Sequence, residues 1–557
     1  MDRGGSTPGP NRCCTPQDRW RSGTVAWAWV ILAVICQLRA AGPPPSSGPG
    51  HRAADRILRL ARTTDPGALD PAKMVMAEDM LLMPLLYLPL LDVTNGLQLI
   101  PCAAASWNSS PDQRIHTFHL RPDIAFANGR RVTSADYVYS LERILTPSTA
   151  APLANYLFGL KGIADFQAGK SPHVAGIRAP GPLELVIELE SGDPMFGYRV
   201  TMCIGCAVPR EEVERKQSPF GNMPVGAGPY RIQRWRRGQH LKLERNPYYH
   251  GPTPQLLDGV EYMIGGDDAL HLMMFERGEL DIANIVEAGI PLPSFRRVSA
   301  DPRWKGLIDL GQLYGTSFLT LNNEIPPFDN VLVRRAVNHA IDRDRRSHVD
   351  LGYQRHAEGL IPPGMPAADP TIKGYAYDPP RARQLLHQSG LPLPLRSTLW
   401  HPLGEAERVT AQGFQWDLKQ VGIEIDLKEV TSAQLWSASV TRGQVPIAQT
   451  GWIAGIPDPV DILGMTLDGS TLLNASHNNQ AFYNNPSVTR LLHAAAASTS
   501  LPVRRRLYLE AERLTIADAP WVVLGHYNRY GLRQPWVRGQ LLEPLSVYRF
   551  DRLSIER

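Results

Sequence analysis

Strand-like and helix-like segments alternate along the chain, and this alternation constrains the fold more than any other feature. Apolar and charged residues alternate over 183–189 and again over 423–428, which predicts two half-buried strands. Helix signals lie between such strands: Thr133 followed by Asp136 opens one helix, and Pro379-Pro380 followed by Gly390 brackets another. Because 557 residues exceed one compact core, we predict a mixed α/β protein with two or three lobes.

The first 53 residues have the composition of an export signal followed by a tether. Three arginines precede an apolar run over 24–35, and small residues follow it around Ala40, which predicts a secretory signal peptide over 1–41. An uncleaved anchor is the alternative, although a membrane-spanning helix needs about 20 apolar residues. Cys36 is a poor lipidation site because Ile35 stands where a small residue is wanted. The Pro-, Ser- and Gly-rich stretch 42–53 predicts a linker.

Three of the six cysteines, Cys102, Cys203 and Cys206, would remain in the exported chain. Cys203 and Cys206 form a C-x-x-C pair, which predicts either a local disulfide in an oxidising compartment or free buried thiols. A single pair of this kind does not complete a structural zinc site.

Composition and motifs argue against several other classes of protein. The net charge of +4 is spread along the chain, and the densest basic cluster, 234–237, is too short for a nucleic-acid surface. The sequence contains no G-x-S-x-G, no H-E-x-x-H and no P-loop. Asp267, Asp268 and His271 have the residue types of a metal site, but acidic pairs are more common at solvated helix starts. We therefore expect no catalytic residues, no metal site and no cofactor.

Several short motifs follow one another in a fixed order through the exported part of the chain. They are Leu69-Asp70-Pro71, Leu120-Arg121-Pro122 with Phe126 to Gly129, Pro224 to Tyr230 with Leu243 to Pro247, and Trp452 to Pro459. In this order and spacing they resemble the motifs of the family 5 extracellular solute-binding proteins, which are receptors of bacterial ABC importers. Members of that family bind peptides, and related receptors take nickel complexes, haem or other solutes.

The resemblance implies a two-lobed periplasmic-binding-protein fold of type II, in the large peptide-binding class, with an extra inserted domain. Lobe I would combine 54–93, 221–314 and 530–557, the inserted domain would span 94–220, and lobe II would run over 315–529. The chain then crosses between the lobes near Tyr314 and Arg529, and two crossings make a hinge that can close on a solute. The resemblance further implies a monomeric periplasmic protein whose partners are the permease and ATPase subunits of an ABC transporter.

The resemblance also places the ligand between the lobes, against the segment 452–459. In peptide-binding members an aspartate pairs with the free amino terminus of the peptide, and Gly455 stands at its position here. Trp452 would form an apolar wall or pack in the core, and Asp458 would fix a turn. The residues predicted to contact the ligand are Trp452, Gly455, Asp458, Tyr314, Thr316, Phe318 and Trp400.

Without that aspartate, three hypotheses about function stay open. An ammonium left unpaired in a dry cleft costs about 2–5 kcal/mol, so a receptor for free-amine peptides needs another acid, and Asp458 or Asp461 could supply it. Gly455 would also give room and backbone freedom to a differently shaped ligand. The first hypothesis is a receptor for a peptide or peptide-like solute. The second is a receptor for a metal chelate, haem, a sugar or an opine-like compound, and the third is an exported enzyme or sensor module.

Overall fold

The computed structural model describes residues 56–215, 219–283, 292–345, 354–473, 477–545 and 549–557. The predicted signal peptide, the predicted linker and Cys36 lie outside these residues. The described residues belong to one compact unit, Arg56–Arg557. None of the helices in this part of the chain is both long enough and apolar enough to span a membrane.

The largest sheet is built on two long antiparallel strands, Ile308–Leu321 and Trp521–Arg533, which pair from Ile308 opposite Leu532 to Thr320 opposite Trp521. The predicted crossings near Tyr314 and Arg529 fall within these two strands. The sheet has seven strands, and Gln354–Arg355 pairs beside its main path. The order along that path is Ile282–Ala283, Trp521–Arg533, Ile308–Leu321, Ile447–Ile453, Leu395–Pro402 and Ile423–Val430.

A four-stranded sheet joins the beginning of the described chain to segments far along the sequence. Its order is Ile57–Arg62, Gly259–Ile264, His240–Arg245 and Tyr230–Arg236. The first pair is parallel and the other two pairs are antiparallel. This pairing brings together two of the segments that the sequence assigns to lobe I, while the exact lobe boundaries stay a prediction.

A second four-stranded sheet lies within the predicted inserted domain, and all its strands are antiparallel. The strand predicted over 183–189 is its member Glu184–Glu188. The full order is Ala104–Ser109, Ile115–Leu120, Glu184–Glu188 and Ile177–Gly181. The remaining described strands form two short antiparallel pairs, Leu91–Val93 with Leu99–Pro101 and Val537–Arg538 with Ser554–Ile555.

The helices follow the local signals in the sequence. The Thr133 N–H donates to Asp136 Oδ2 at 2.9 Å and opens the helix Ser134–Leu145. The helix Pro379–Gln388 ends just before Gly390, whose φ of 73° lies in the left-handed region that stops a helix. Within the described ranges, the other α-helices are Ala77–Met80, Met83–Leu86, Ile163–Gln167, Phe196–Arg199, Arg210–Val213, Asp268–Glu276, Leu292–Ala300, Val331–Ala340, Glu405–Lys419, Ser432–Ser439, Met465–Leu467, Pro486–Ala497 and Leu501–Asp518.

The largest hydrophobic cluster is continuous between the predicted inserted domain and the segment that follows the strand Ile447–Ile453. Leu157 and Met202 from the first region share this cluster with Ala454, Ile456 and Ile462 from the second. A separate cluster lies between the predicted lobe II helices and the large sheet. The motif 452–459 is therefore packed against the inserted domain rather than exposed at a sheet edge.

Candidate functional site

A cavity of about 330 Å³ lies against the end of the strand Ile447–Ile453. Its lining residues come from all three predicted parts of the chain, which are lobe I, through Leu313 and the surroundings of the helix Ala77–Met80, the inserted domain and lobe II. Six of its lining residues are Met76, Glu78, Tyr156, Met202, Trp436 and Trp452. Ligand sites occur preferentially where separate parts of a protein meet, so this cavity is a candidate ligand site.

A larger cavity, of about 600 Å³, lies around Arg343 and Trp521. Its described lining residues all belong to the predicted lobe II, between Asn338 and Val523. If the predicted lobe boundaries hold, this cavity is lined from one lobe alone and closure of the lobes would not enclose a ligand there. The smaller cavity is the candidate site.

The strand Ile447–Ile453 presents one unpaired edge beside the candidate cavity. It pairs along its length with Ile308–Leu321, but with Leu395–Pro402 only at Ile447 and Ala448. From Gln449 to Ile453, no described strand pairs with its other edge.

The hydrogen bonds at the two ends of this pairing show which backbone groups face the open edge. Ala454 N–H donates to Tyr314 O and Asn322 N–H donates to Pro446 O, so the even-numbered residues bond toward Ile308–Leu321. The odd-numbered residues, Gln449, Gly451 and Ile453, therefore direct their N–H and C=O groups toward the open edge.

Asp461 lies fully buried behind the cavity wall and accepts hydrogen bonds from four donors. The Tyr156 hydroxyl and the Trp452 indole N–H, 2.9 Å away, donate to its Oδ1 atom. The backbone N–H groups of Gly455 and Ile456 donate to Oδ2, each at 2.8 Å. Burial raises the pKa of Asp461, while its hydrogen bonds from Tyr156, Trp452 and the backbone oppose that rise. Asp461 is thus occupied in holding two cavity-lining aromatic residues in place.

Asp458 is also paired within the protein. Its Oδ2 atom accepts from Arg504 Nη2 at 2.7 Å and its Oδ1 atom accepts from the Tyr508 hydroxyl at 2.8 Å. The Val460 N–H also donates to Oδ1, at 3.0 Å, which fixes the turn as the sequence predicts. Asp458 does not line the candidate cavity. Neither Asp458 nor Asp461 is placed to replace the missing acid at position 455.

Gly455 lines the cavity, and the side chain of Met202 fills the space beside it. A Cβ atom added to Gly455 would lie 2.4 Å from Met202 Cε and 2.7 Å from Met202 Sδ. The space that a side chain at position 455 would enter is therefore filled by an apolar side chain, and the nearby Asp461 carboxylate already accepts four hydrogen bonds.

Three buried polar groups of the cavity wall have no hydrogen-bond partner among the described residues. They are the amide oxygens of Gln449 and Gln480 and the indole N–H of Trp436. Gln449 is 7% exposed and Gln480 is 6% exposed. Buried polar groups are normally paired, so these three atoms are exceptions, and each has almost no accessible surface of its own. None of the three residues was predicted from the sequence, because no local pattern distinguishes a glutamine or tryptophan beside a cavity from one elsewhere.

Of the predicted ligand contacts, Trp452 and Gly455 line the cavity. Trp400 does not, because its ring packs under the Lys428 ammonium at 3.5 Å from the ring centroid. A role for Trp452 and Gly455 in ligand contact stays a prediction.

Tyr314, Thr316 and Phe318, the predicted contacts from the strand Ile308–Leu321, do not line the candidate cavity, and their role in ligand contact stays a prediction. The residues of this strand that line the cavity are Leu313 and Ser317, and a shift of one residue in a strand turns every side chain to the other face. The predicted residues make contacts elsewhere, with Tyr314 donating to Gly364 O at 2.8 Å, Thr316 donating to Leu360 O at 2.9 Å, and Phe318 stacking on Trp521 at 3.7 Å between ring centroids.

Of the two alternatives for Cys203 and Cys206, the structure has the free buried thiols. The two residues lie at a short 3-10 turn, Cys203–Gly205. The Cys206 thiol contacts Met83 Sδ at 3.9 Å, and burial raises the pKa of Cys203 to about 12. Cys102 is a free buried thiol as well.

His271 does not join Asp267 and Asp268 in a metal site. Its Nε2 atom lies 2.8 Å from the Gly265 carbonyl, while Asp267 caps the helix Asp268–Glu276 by accepting from Leu270 N–H. Within the described ranges, no group of three or more His, Cys, Asp or Glu side chains could hold a metal ion.

Comparison with known proteins gives one consistent family. The chain is 27% identical over 458 residues to the periplasmic oligopeptide-binding protein OppA of Escherichia coli strain K12, covering 79% of this chain and 81% of that protein. It is 25% identical over 477 residues to the heme-binding protein A of Haemophilus influenzae, covering 82% and 84%. It superposes on the ABC transporter-associated periplasmic binding protein DppA from Helicobacter pylori, in complex with the peptide STSA, with a TM-score of 0.79 at 25% identity, covering 90% and 99%.

The model of the bacterial extracellular solute-binding proteins, family 5 Middle, matches residues 98–472. This match spans the inserted sheet, most of the large sheet and the cavity wall from Gln449 to Asp461. The fold is that of the type II periplasmic binding proteins, as the sequence predicts. The chain belongs to the family 5 bacterial extracellular solute-binding proteins.

Proposed function

We propose that this protein captures a peptide in extended conformation within the candidate cavity and delivers it to the permease of an ABC importer. The observation that carries the proposal is the open edge of Ile447–Ile453 along the cavity. An extended peptide can pair with such an edge through main-chain hydrogen bonds, which do not depend on the peptide's sequence. The backbone groups of Gln449, Gly451 and Ile453 would make those bonds.

The names of the relatives support a peptide ligand. OppA of Escherichia coli is an oligopeptide-binding protein, and the Helicobacter pylori structure holds a peptide. These relatives are periplasmic, and the second is associated with an ABC transporter. We propose that this protein is also periplasmic, that it is monomeric, and that its partners are a permease and an ATPase. We propose no catalytic activity, since the family is one of solute-binding proteins.

Capture would proceed by closure of two lobes about the long strands Ile308–Leu321 and Trp521–Arg533. A ligand stabilises the closed form only through contacts that the open form lacks. Small-angle scattering should therefore give a smaller radius of gyration for the ligand-saturated protein than for the empty protein. An unchanged radius would rule out closure.

The ligand can be identified by recovering the protein from an oxidising compartment, releasing bound solutes by mild denaturation and analysing them by mass spectrometry. Mixed short peptides are the expected result. A matched pair of variants then tests the open edge. Ile453→Pro removes an edge N–H, whereas Ile453→Ala keeps it and removes the side chain. We expect the proline variant to lose peptide affinity and the alanine variant to retain more of it. Equal losses would argue against main-chain pairing.

A second candidate is a non-peptide solute such as a metal chelate, haem, a sugar or an opine-like compound. The observation that favours it is the apolar Met202 contact at Gly455, where the neighbouring Asp461 carboxylate is fully buried and already accepts four hydrogen bonds. One relative, heme-binding protein A of Haemophilus influenzae, is named for a non-peptide ligand. Release of one non-peptide compound, with no peptide, would establish this second candidate.

A further inference from the structure

The four-stranded sheet that begins with Ile57–Arg62 has one face in the largest hydrophobic cluster and one outer face, and the outer face carries a row of charges. Arg59 lies opposite Glu261, and Glu261 lies opposite Lys242. Lys242 in turn lies opposite Arg234 on the last strand of the sheet. Residues directly opposite one another across strands share a face, so three cations and one acid form a line across all four strands.

The next row along the strands extends this charge at one end and is covered at the other. Arg236 lies opposite His240, and His240 lies opposite Met263. Met263 packs against a hydrophobic cluster, whereas Arg236 is exposed. The exposed part of the outer face is therefore formed by the strands His240–Arg245 and Tyr230–Arg236.

Two of the arginines on the outer face have no counter-charge. Both acids that the strands place on this face are held in ion pairs of 2.7 Å, which are Lys242 Nζ with Glu261 Oε1 and Arg231 Nη2 with Glu244 Oε1. Arg234 and Arg236 are exposed, and neither side chain forms an ion pair or a hydrogen bond with any residue that the structure describes. The two guanidinium groups are therefore open to a negatively charged partner.

The charge of this sheet exceeds that of the whole chain. Its four strands contain seven arginines and lysines and two glutamates, a net charge of +5, whereas the whole chain has a net charge of +4. Burial, followed by the charges of Arg236, Arg234 and Lys242, lowers the pKa of His240, which lies among them. Positive charge is thus concentrated on this sheet and is felt at the middle of its outer face.

The arrangement of these cations indicates the kind of partner that they fit. Neighbouring strands lie about 4.8 Å apart, so the cations are spread over a broad face. Neither Arg234 nor Arg236 lines either of the two cavities described above, so this face would not enclose a small anion. A surface of many fixed negative charges, such as the headgroups of anionic phospholipids, meets several such cations at once.

The position of the sheet in the chain favours a lipid surface over an acidic protein. The predicted linker 42–53, which would act as a tether, enters the described chain just before the strand Ile57–Arg62. This strand is the first of the same sheet. A tether attached there would keep this sheet, with its outer face, near the membrane.

We propose that the outer face of this sheet docks on the anionic phospholipid surface of the membrane, with Arg234 and Arg236 as its main contacts and Lys242 beside them. The inference rests on the proposed periplasmic location, and it is independent of the solute that the candidate cavity takes. Docking of this kind would hold the receptor within reach of the permease. It would leave the candidate cavity free, because none of these three residues lines that cavity.

Cosedimentation with lipid vesicles tests the proposal on the purified full-length protein. One set of vesicles is phosphatidylcholine alone, and in the other about one third of the lipid is phosphatidylglycerol. The neutral vesicles report any binding through the apolar run 24–35, so the difference between the two sets reports the effect of charge. We expect at least about tenfold tighter binding to the anionic vesicles at low salt. This preference should disappear at high salt, because salt screens the charges.

A matched pair of double variants assigns the preference to the outer face. R234Q/R236Q should reduce the preference for anionic vesicles by at least about tenfold, because one arginine near an anionic surface contributes about a factor of five. R505Q/R506Q is the control, since it removes the same charge from two exposed residues of the helix Leu501–Asp518. We expect the control to change the preference by less than about twofold.

A third variant tests the sign of the effect. E261Q removes an acid from the charged row and frees Lys242 from its ion pair, so it should strengthen binding to the anionic vesicles by at least about twofold. A merely structural defect would not increase binding in this way. Circular dichroism melting checks that each variant is folded, and R234Q and R236Q replace the double variant if it does not fold.

Three results would overturn the proposal. They are equal binding to both sets of vesicles, a preference that R234Q/R236Q leaves unchanged, and a preference that R505Q/R506Q reduces as much. Binding to immobilised polyglutamate without binding to anionic vesicles would assign the outer face to an acidic protein and would overturn it as well. The solutes released from the purified protein test the proposed ligand separately, so a failure of one proposal is distinguishable from a failure of the other.

Discussion

The thioether of Met202 occupies the space into which a side chain at position 455 would project. The backbone at Gly455 is not in the left-handed region, so this position needs glycine for its small size and not for its conformational freedom. Met202 belongs to the predicted inserted domain, while Gly455 follows the strand Ile447–Ile453. The contact between them therefore links the type of residue at position 455 to the packing of the predicted inserted domain.

Restoring the family's aspartate should destabilise the protein. Gly455→Asp would force Met202 to move. It would also place a second carboxylate beside Asp461, which already accepts the hydrogen bonds of the neighbouring backbone N–H groups. We expect the free energy of unfolding to fall by about 2–4 kcal/mol. Equilibrium urea denaturation measures it.

The Met202→Ala background supplies the control for this prediction. With the thioether gone, Gly455→Asp should cost at least about 0.5 kcal/mol less than in the unmodified protein. Gly455→Ala should cost little, because the flexible end of Met202 can shift away from one methyl group. Equal costs of Gly455→Asp in both backgrounds would show that the two residues are not coupled.

The hydrogen bonds to Asp461 should make this residue more important to stability than any one of its donors. Asp461→Asn would replace one acceptor oxygen by an NH₂ group, which faces donors in either orientation, the backbone N–H groups on one side or the Trp452 indole on the other, and we expect a loss of about 2–4 kcal/mol in unfolding free energy. Tyr156→Phe removes one donor and should cost about 1–2 kcal/mol. If Tyr156→Phe proved the more costly change in urea denaturation, the carboxylate would not be the centre of this network.

The secondary structure was predictable where local chemistry decides it. The alternation over 183–189 and 423–428 appears as the strands Glu184–Glu188 and Ile423–Val430. The box formed by Thr133 and Asp136 opens its helix at the predicted residue. These signals act within a few residues, so the chain carries them without reference to tertiary contacts.

The details of the site were less predictable because they depend on contacts between distant segments. Alternation predicts two faces for Ile308–Leu321, but it does not say which face meets the candidate cavity, and Leu313 and Ser317 line it where Tyr314, Thr316 and Phe318 do not. The packing of Met202 against Gly455 joins residues far apart in the sequence. No local pattern around Gly455 reports what fills the space beside it.

The stability of the protein should depend on pH through Asp268. Burial, followed by the charges of Glu407 and Asp267, raises the pKa of Asp268 to about 7. The unfolded chain has an ordinary aspartate pKa of about 3.9. Between these two values the folded state binds more protons, so the contribution of Asp268 to stability is fully present below about pH 3.9 and is lost as the pH rises through about 7.

Asp268→Asn removes this ionisation and keeps the size of the side chain. We expect the variant to lose less stability than the unmodified protein between pH 4 and pH 7, and to melt at a higher temperature at pH 8. Thermal melts across this range measure it. Asp267→Asn is a poor control, because Asp267 caps the helix, so Glu405→Gln in a nearby exposed position serves instead. The prediction would be wrong if the melting temperatures of Asp268→Asn and of the unmodified protein changed with pH in the same way.

The ion pair between Arg504 and Asp458 should be a strong structural contact because both side chains are almost completely buried, with 3% and 5% exposure. Arg504 also donates to the carbonyls of Ala495 and Ala496. Arg504→Met would leave Asp458 buried without its cation, and we expect a loss of about 3–5 kcal/mol in unfolding free energy. The neighbouring Arg505 is exposed, so Arg505→Met should change stability by no more than about 0.5 kcal/mol. Because Asp458 fixes the turn between the cavity wall and Asp461, Arg504→Met should also weaken ligand binding. A cost no greater than that of Arg505→Met would show that the turn is held by other contacts.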